Sequence, residues 1–158
     1  TMTLEEKLAR FEEYAARGFT EIDYVLNQES VENRDFVAIE REMTAIADFC
    51  RAHGITDKVI VEMCKLDGDD AAKRRVCEIA LEAKPGFLKT STGRSYGGAK
   101  LEDVRLMHEV LGDVVAIKAA GGIHNYEEAC AFIEAGASAL GASAGIAIVE
   151  GAPTDERR

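Results

Sequence analysis

The chain has 158 residues, of which 47% are apolar and 30% charged, with only two prolines. That is room for one ordinary domain with a sizeable core, and no apolar run approaches the ~20 residues needed to cross a membrane. The formal charge of −10 argues against a nucleic-acid partner, because phosphate backbones attract basic surfaces. It leaves room for a small anionic ligand in a local positive pocket.

Nothing at the N-terminus has the basic-then-apolar layout of a signal peptide, so the expectation is a cytoplasmic protein. Cys50, Cys64, Cys77 and Cys130 lie far apart, with no C-x-x-C pair, each in an apolar or helical context. They read as reduced packing residues. His53, His108 and His124 lack ligand spacing, so no zinc site is expected.

In chain order, Leu4 to Arg17 places Leu4, Leu8, Phe11 and Tyr14 or Ala15 at helical spacing, and Gly18 closes the helix. "TEIDYVLN" reads as a strand. Arg34 to His53 is a second amphipathic helix, stopped by Gly54. "DKVIVEMC" is a strand rich in β-branched residues. Asp69 or Asp70 caps a helix running to about Ala83, and "GFLKT" is the next strand. Lys100 to Leu111 is a helix ended by Gly112. "DVVAIKAAGG" is a strand with a glycine turn. Asn125 caps a helix with Glu128 placed for a capping box, and Gly136 ends it. "ASALGASAG" is a last short strand before an apolar helical stub, Ile146 to Val149.

Five strands alternating with helices imply parallel strands with helical crossovers, apolar on both faces. No linker divides the chain, so residues 1–158 read as a single domain. Two architectures fit, an open doubly wound sheet and a (β/α)-barrel. A dinucleotide-binding sheet wants a G-x-G-x-x-G turn after its first strand, and "EIDYVL" has none. Glycines and small hydroxyls crowd the ends of the last strands instead, which suits a barrel's phosphate site.

Lys89 closes one strand and Lys118 the next, and Asp23 lies in the first. In parallel α/β folds the C-terminal strand ends share one face, so the three groups can converge. Free lysine has a pKa of ~10.4. Desolvation and a second cation depress it, giving a neutral amine able to attack a carbonyl, and a carboxylate relays protons through water. That is an imine-forming, carbon–carbon lyase kind of site. Taken singly, a strand-end lysine usually snorkels to solvent, an aspartate usually serves a turn, and Gly121-Gly122 is most often a tight turn. Thr90, Ser91, Thr92 and Gly93, then Gly121 and Gly122, then Ser143 and Gly145, follow successive strands. Such turns either serve the fold or offer backbone N–H groups to an anion.

The motifs "FLKTSTG", "GGAKLEDVRLM", "IKAAGGIHNYEEACAFIEAGA" and "LGASAGIAIV", with "GFTEIDYVLN" and "KVIVEMC", resemble the deoxyribose-phosphate aldolase family, in order and over essentially the whole chain. The resemblance implies a (β/α)8 TIM-barrel fold. It also implies a class I, Schiff-base aldolase of deoxyribonucleotide and carbohydrate catabolism, working in the cytoplasm without a metal or other cofactor. The reaction implied is reversible cleavage of 2-deoxy-D-ribose 5-phosphate to D-glyceraldehyde 3-phosphate and acetaldehyde. By motif, Lys89 matches the Schiff-base lysine. Lys118 matches the second lysine, which perturbs the first and shares in proton transfer. Asp23 matches the aspartate of the proton relay. Thr92, Gly93, Gly121, Gly122 and Ser143 match the phosphate-binding set.

The chain departs from that pattern at Ala144 (often serine), His124 (usually arginine), Met63 (threonine in many relatives) and Tyr24 (commonly small and apolar). These bear on phosphate affinity rather than on the two lysines. The larger departure is length, because five strands match the family's last five of eight. The expectation is a barrel truncated to about five C-terminal βα units, the C-terminal part of a longer aldolase. Its exposed sheet edges invite self-association or a partner fragment. The alternatives are a non-catalytic fragment or assembly module, or a Schiff-base aldolase for another phosphorylated substrate.

Overall fold

The computed structural model describes residues 2–94 and 97–153. Five strands, β1 (Glu21–Val25), β2 (Thr56–Ile60), β3 (Phe87–Lys89), β4 (Ala116–Ala120) and β5 (Ala139–Gly141), form one sheet in strictly sequential order, and every pairing is parallel. A doubly wound sheet reverses its strand order at a switch point. Here there is no reversal, so the open-sheet alternative is excluded. The sheet with its helices is a half-barrel.

Among the described residues seven helices accompany the strands: α1 (Leu4–Ala16), α2 (Gln28–Glu32), α3 (Phe36–Ala52), α4 (Asp70–Ala83), α5 (Leu101–Leu111), α6 (Tyr126–Glu134) and α7 (Gly145–Glu150). Their ends follow local chemistry. Thr3 and Glu6 form a reciprocal capping box at α1. The Asp69 carboxylate accepts the Ala72 N–H at the start of α4. The Arg51 guanidinium donates to the terminal α4 carbonyls of Ala83 and Lys84. At α6 the Asn125 side chain accepts the Glu128 N–H, as expected, whereas Glu128 accepts from the backbone of His124. The box therefore reaches one residue further back.

Two elements differ from the sequence expectation. The region before α3 holds the short helix α2, because Asn27 caps Glu29 and Ser30 and Asp35 then starts α3 anew. The run "DKVIVEMC" is not one strand; β2 ends at Ile60 and a 3-10 turn covers Met63–Leu66.

The strands are not apolar on both faces. Ile22, Tyr24, Val59, Leu88, Ile117 and Ala119 face the helices and are buried. The partners of the pairing register on the other face are Glu21 with Thr56, Asp23 with Lys58, and Lys89 with Lys118. Helices cover one face, and the charged side chains collect on the other, where Ile60 and Ala120 are nonetheless buried with them. The core lies between the covered face and Ile39, Met43 and Ile46 of α3, Val76 and Ile79 of α4, Val104 and Met107 of α5, and Phe132 of α6. The four cysteines are free thiols, and burial pushes Cys50 and Cys77 up to about 12, out of reach of thiolate chemistry at neutral pH.

Leu88 sits fully buried one residue before Lys89. Leu88→Ala is expected to lower the unfolding free energy by about 2–5 kcal/mol in urea titration; a loss well below that range would mean the centre of the sheet is not close-packed.

Candidate active site

The three residues singled out by pattern meet on the uncovered face. Lys89 Nζ donates to Asp23 Oδ2 at 2.7 Å, and Lys118 Nζ donates to the same oxygen at 2.8 Å. On a flat sheet, three strand steps of about 4.8 Å would separate β1 from β4 by about 14 Å, more than an aspartate and a lysine span together. The curl of the sheet therefore makes the contact between Asp23 and Lys118. Side-chain exposures of 11% for Lys89 and 18% for Lys118 show both amines lying within the concavity. Burial raises the Asp23 carboxyl pKa, but the hydrogen bonds from Lys118 and Lys89 outweigh it and hold it at about 2.

Lys58 joins this cluster and was not singled out from sequence. Its ammonium lies 2.6 Å from Glu21 and 3.4 Å from Asp23 Oδ1, with only 9% of its side chain exposed. Burial disfavours its charge, but the Glu21 hydrogen bond and the Asp23 charge win and raise its pKa. Three ammonium groups thus face two carboxylates in a chain that is acidic overall. Unlike Lys89, which closes its strand, Lys58 lies inside the β-branched run "DKVIV", and its role follows from standing opposite Asp23 in the pairing register.

The loops after β3 and β4 are locked together. Thr90 N–H donates to Lys118 O at 3.0 Å, the Thr90 hydroxyl oxygen accepts the Ala120 N–H at 3.1 Å, and the Ser91 hydroxyl donates to the Ala120 carbonyl. Gly93, Gly121 and Gly122 all have positive φ. A Cβ on Gly121 would stand 2.7 Å from the Gly93 Cα, and one on Gly98 would stand 2.5 Å from the Gly121 carbonyl oxygen. Only glycine permits so close an approach.

The residues expected to hold phosphate differ in what they have left to offer. The Thr92 N–H is bonded to Glu62 and its hydroxyl oxygen accepts the Arg94 N–H. The Gly121 N–H is bonded to the Gly141 carbonyl. The Gly93 and Gly122 N–H groups have no partner among the described residues. Ser143 is exposed, two residues before α7. Of the departures, Ala144 gives α7 no side-chain cap, His124 is exposed and bonds Glu128, and Met63 is buried. Tyr24 lies on the covered face, edge-on to Phe11.

Glu62 is the second residue that sequence reasoning missed. Val61 N–H donates to Lys89 O, and Met63 N–H donates to Thr90 O. Two residues advance beyond β2 while one advances beyond β3, so Glu62 is the extra residue of a bulge. Its backbone is left-handed, at φ 64° and ψ 63°, a conformation that costs a non-glycine residue about 1–3 kcal/mol. The carboxylate is buried, at 2% residue exposure, and accepts the Thr92 N–H at 2.8 Å.

Among the described residues, no group of three or more His, Cys, Asp or Glu side chains is placed to hold a metal ion, and no helix is long and apolar enough to cross a membrane.

The chain is similar to known proteins along most of its length. No protein-family model matches the chain. The deoxyribose-phosphate aldolase of Caldanaerobacter subterraneus subsp. tengcongensis is 45% identical over 149 residues, covering 94% of this chain and 64% of that protein. The enzyme of the same name from Exiguobacterium sp. is 41% identical over 153 residues, covering 97% of this chain and 67% of that protein. A solved structure described as the unique tetrameric structure of deoxyribose phosphate aldolase from Aeropyrum pernix superposes with a TM-score of 0.81 at 26% identity, over 95% of this chain and 62% of that one. The chain thus spans somewhat under two thirds of most of these relatives' length. Sequence and fold agree over nearly all of its residues, and the chain belongs to the deoxyribose-phosphate aldolase family.

Proposed function

We propose that the chain carries the catalytic face of a class I aldolase that reversibly cleaves 2-deoxy-D-ribose 5-phosphate. One observation carries the reading: two lysine amines from adjacent strands share a single carboxylate oxygen, Asp23 Oδ2, in an open concavity.

In this reading the uncharged Lys89 Nζ attacks C1 of the open-chain aldehyde. The amine proton passes to the oxygen to give a carbinolamine, and loss of water leaves an iminium. The C3 hydroxyl then gives up its proton and the C2–C3 bond breaks. Its electron pair moves onto the iminium nitrogen as an enamine, and C3 leaves as the aldehyde of D-glyceraldehyde 3-phosphate. Protonation of the enamine at C2 and hydrolysis of the resulting iminium release acetaldehyde and restore Lys89. Lys118 and a water carry the protons. With its carboxyl at about 2, Asp23 stays ionised at neutral pH and serves as the fixed acceptor that keeps both amines in relay distance. Gly93, Gly122 and Ser143 take the substrate phosphate. Thr92 and Gly121, whose N–H groups are already bonded, shape the turns. The reaction needs no metal or other cofactor, and it belongs to deoxyribonucleotide catabolism in the cytoplasm.

A second reading concerns assembly. No strand pairs with the outer edges of β1 or β5 among the described residues, and unpaired edges template association. An apolar groove of about 450 Å³ runs beside β1, lined by Phe11, Tyr14, Ile22 and Tyr24. Another of about 520 Å³ lies beside β5, lined by Ala129, Ile133, Leu140 and Val149. We infer that further copies or a partner fragment cover these edges, and that a chain left uncovered is a non-catalytic assembly module.

Acetaldehyde with borohydride is expected to trap a covalent adduct on Lys89, located by peptide mapping; an adduct on Lys118, or none, would sink the assignment. Lys89→Leu is expected to abolish turnover, and Ser143→Ala to raise KM for the phosphorylated sugar about three- to tenfold, the loss of one hydrogen bond. The Asp23 carboxyl is expected to titrate near 2 by carbon-13 NMR, below its ordinary 3.8. Because the folded value is depressed, its stabilising contribution is complete above about pH 4 and fades as pH falls toward 2. Lys118→Leu should move that midpoint upward, and an unmoved midpoint would remove Lys118 from the cluster. Sedimentation velocity on the 158-residue chain should give species larger than 17.1 kDa; a monomer at all concentrations would overturn the assembly reading.

A further inference from the structure

We propose that Glu62 is a positioning residue for phosphate recognition. Its buried carboxylate holds the Thr92 N–H inward, so that the next N–H of the turn, that of Gly93, is left for the substrate phosphate. The inference rests on the phosphorylated-sugar reading above.

The argument begins with backbone geometry. A residue at φ 64° is most easily a glycine, yet the chain places a glutamate there. Strain of this kind persists where the surroundings over-determine it, and it gathers at functional sites. The side chain must therefore supply something that glycine cannot. What it supplies is an acceptor: Glu62 Oε1 lies 2.8 Å from the Thr92 nitrogen, while Oε2 lies 3.9 Å from Cys64 Sγ.

That acceptor reaches a specific place. The base of the turn is secured from β4, through Thr90 and Ser91 to Ala120. Its tip is not, and there the Glu62 carboxylate reaches across from the β2 side to hold the Thr92 N–H. Fixing that peptide sets the orientation of the following one, whose Gly93 N–H has no partner among the described residues. Gly93 in turn abuts Gly121, the neighbour of the second unpartnered N–H at Gly122. N–H groups left without a partner among the described residues, on positive-φ glycines of two touching turns, give an anion a shared concavity. The bulge at Glu62 re-aims a β2 side chain to brace it from below.

Glu62→Gly separates this role from a structural one, because glycine relieves the backbone strain while deleting the acceptor. Glu62→Gln keeps a carbonyl oxygen in place. In the full-length chain, Glu62→Gly is expected to raise KM for 2-deoxyribose 5-phosphate and to lower the preference for it over 2-deoxyribose, as a ratio of kcat/KM, about tenfold, the size of a lost charge-assisted hydrogen bond. Glu62→Gln is expected to recover most of that ratio. An unchanged ratio in the glycine variant, or a glutamine variant no better than glycine, overturns the proposal.

A readout without turnover runs in parallel. Titration with inorganic phosphate should shift the Gly93 amide resonance of the wild-type chain and leave it nearly unmoved in Glu62→Gly. A wild-type amide indifferent to phosphate, or an equal shift in both chains, also overturns it. The two readings fail separately. A trapped Lys89 adduct without the phosphate effect sinks the Glu62 inference alone. The phosphate effect without an adduct sinks the aldolase chemistry alone.

Discussion

One carboxylate oxygen organises the concave face. Asp23 Oδ2 accepts from lysines that reach it from β3 and β4, and on a flat sheet the second could not arrive. The contact is therefore a measure of curvature. Strictly sequential parallel pairing lets every crossover helix pack on one side, which leaves the opposite side free to curl inward. The same one-sided covering explains the division of residue types. Leu88 and Ile117 are sealed under helices, while their neighbours Lys89 and Lys118 point into the concavity. Charge that would be costly in a closed core is held in a half-solvated hollow, paired but reachable.

The bracing of the site comes from the loops rather than the strands. β3 has only three residues, too few to fix the orientation of Lys89 alone. It is held because the chain beyond it is bonded on both sides, to the Glu62 bulge after β2 and to the β4 turn through Thr90 and Ser91. A second ionic cluster supports the far end of this loop. Lys73 of α4 is buried against Asp103 of α5 and reaches Asp67, which also takes Lys100. Breaking one member would strand buried charge, so the path from β3 to α5 is anchored at both ends.

Much of this was legible in the residues. The long helices announced themselves by spacing and caps, and the lysines by standing at the ends of apolar strands. What was not legible depended on tertiary register. "DKVIVEMC" looks like one strand, since nothing local says that Glu62 falls opposite no partner; only the pairing of Val61 and Met63 with Lys89 and Thr90 reveals the bulge. Lys58 hid in the same run, because its significance lies in facing Asp23 on the neighbouring strand. The short α2 was missed because five residues carry too little periodicity. The expectation of strands apolar on both faces failed because it assumed both faces were covered.

The close approach of Gly93 to Gly121 has a bearing on binding thermodynamics. Two turns that touch backbone to backbone, with further bonds from Ala99 to the Ala120 and Gly121 carbonyls, have little independent motion. They behave as one plate. The entropy of ordering these two loops is therefore lost when the protein folds, so a ligand bound across them would keep more of its contact energy as affinity. Such a plate tolerates changes at its rim but not at its seam. A side chain at Gly98 or Gly121 would pry the turns apart and return that entropy cost to the binding step.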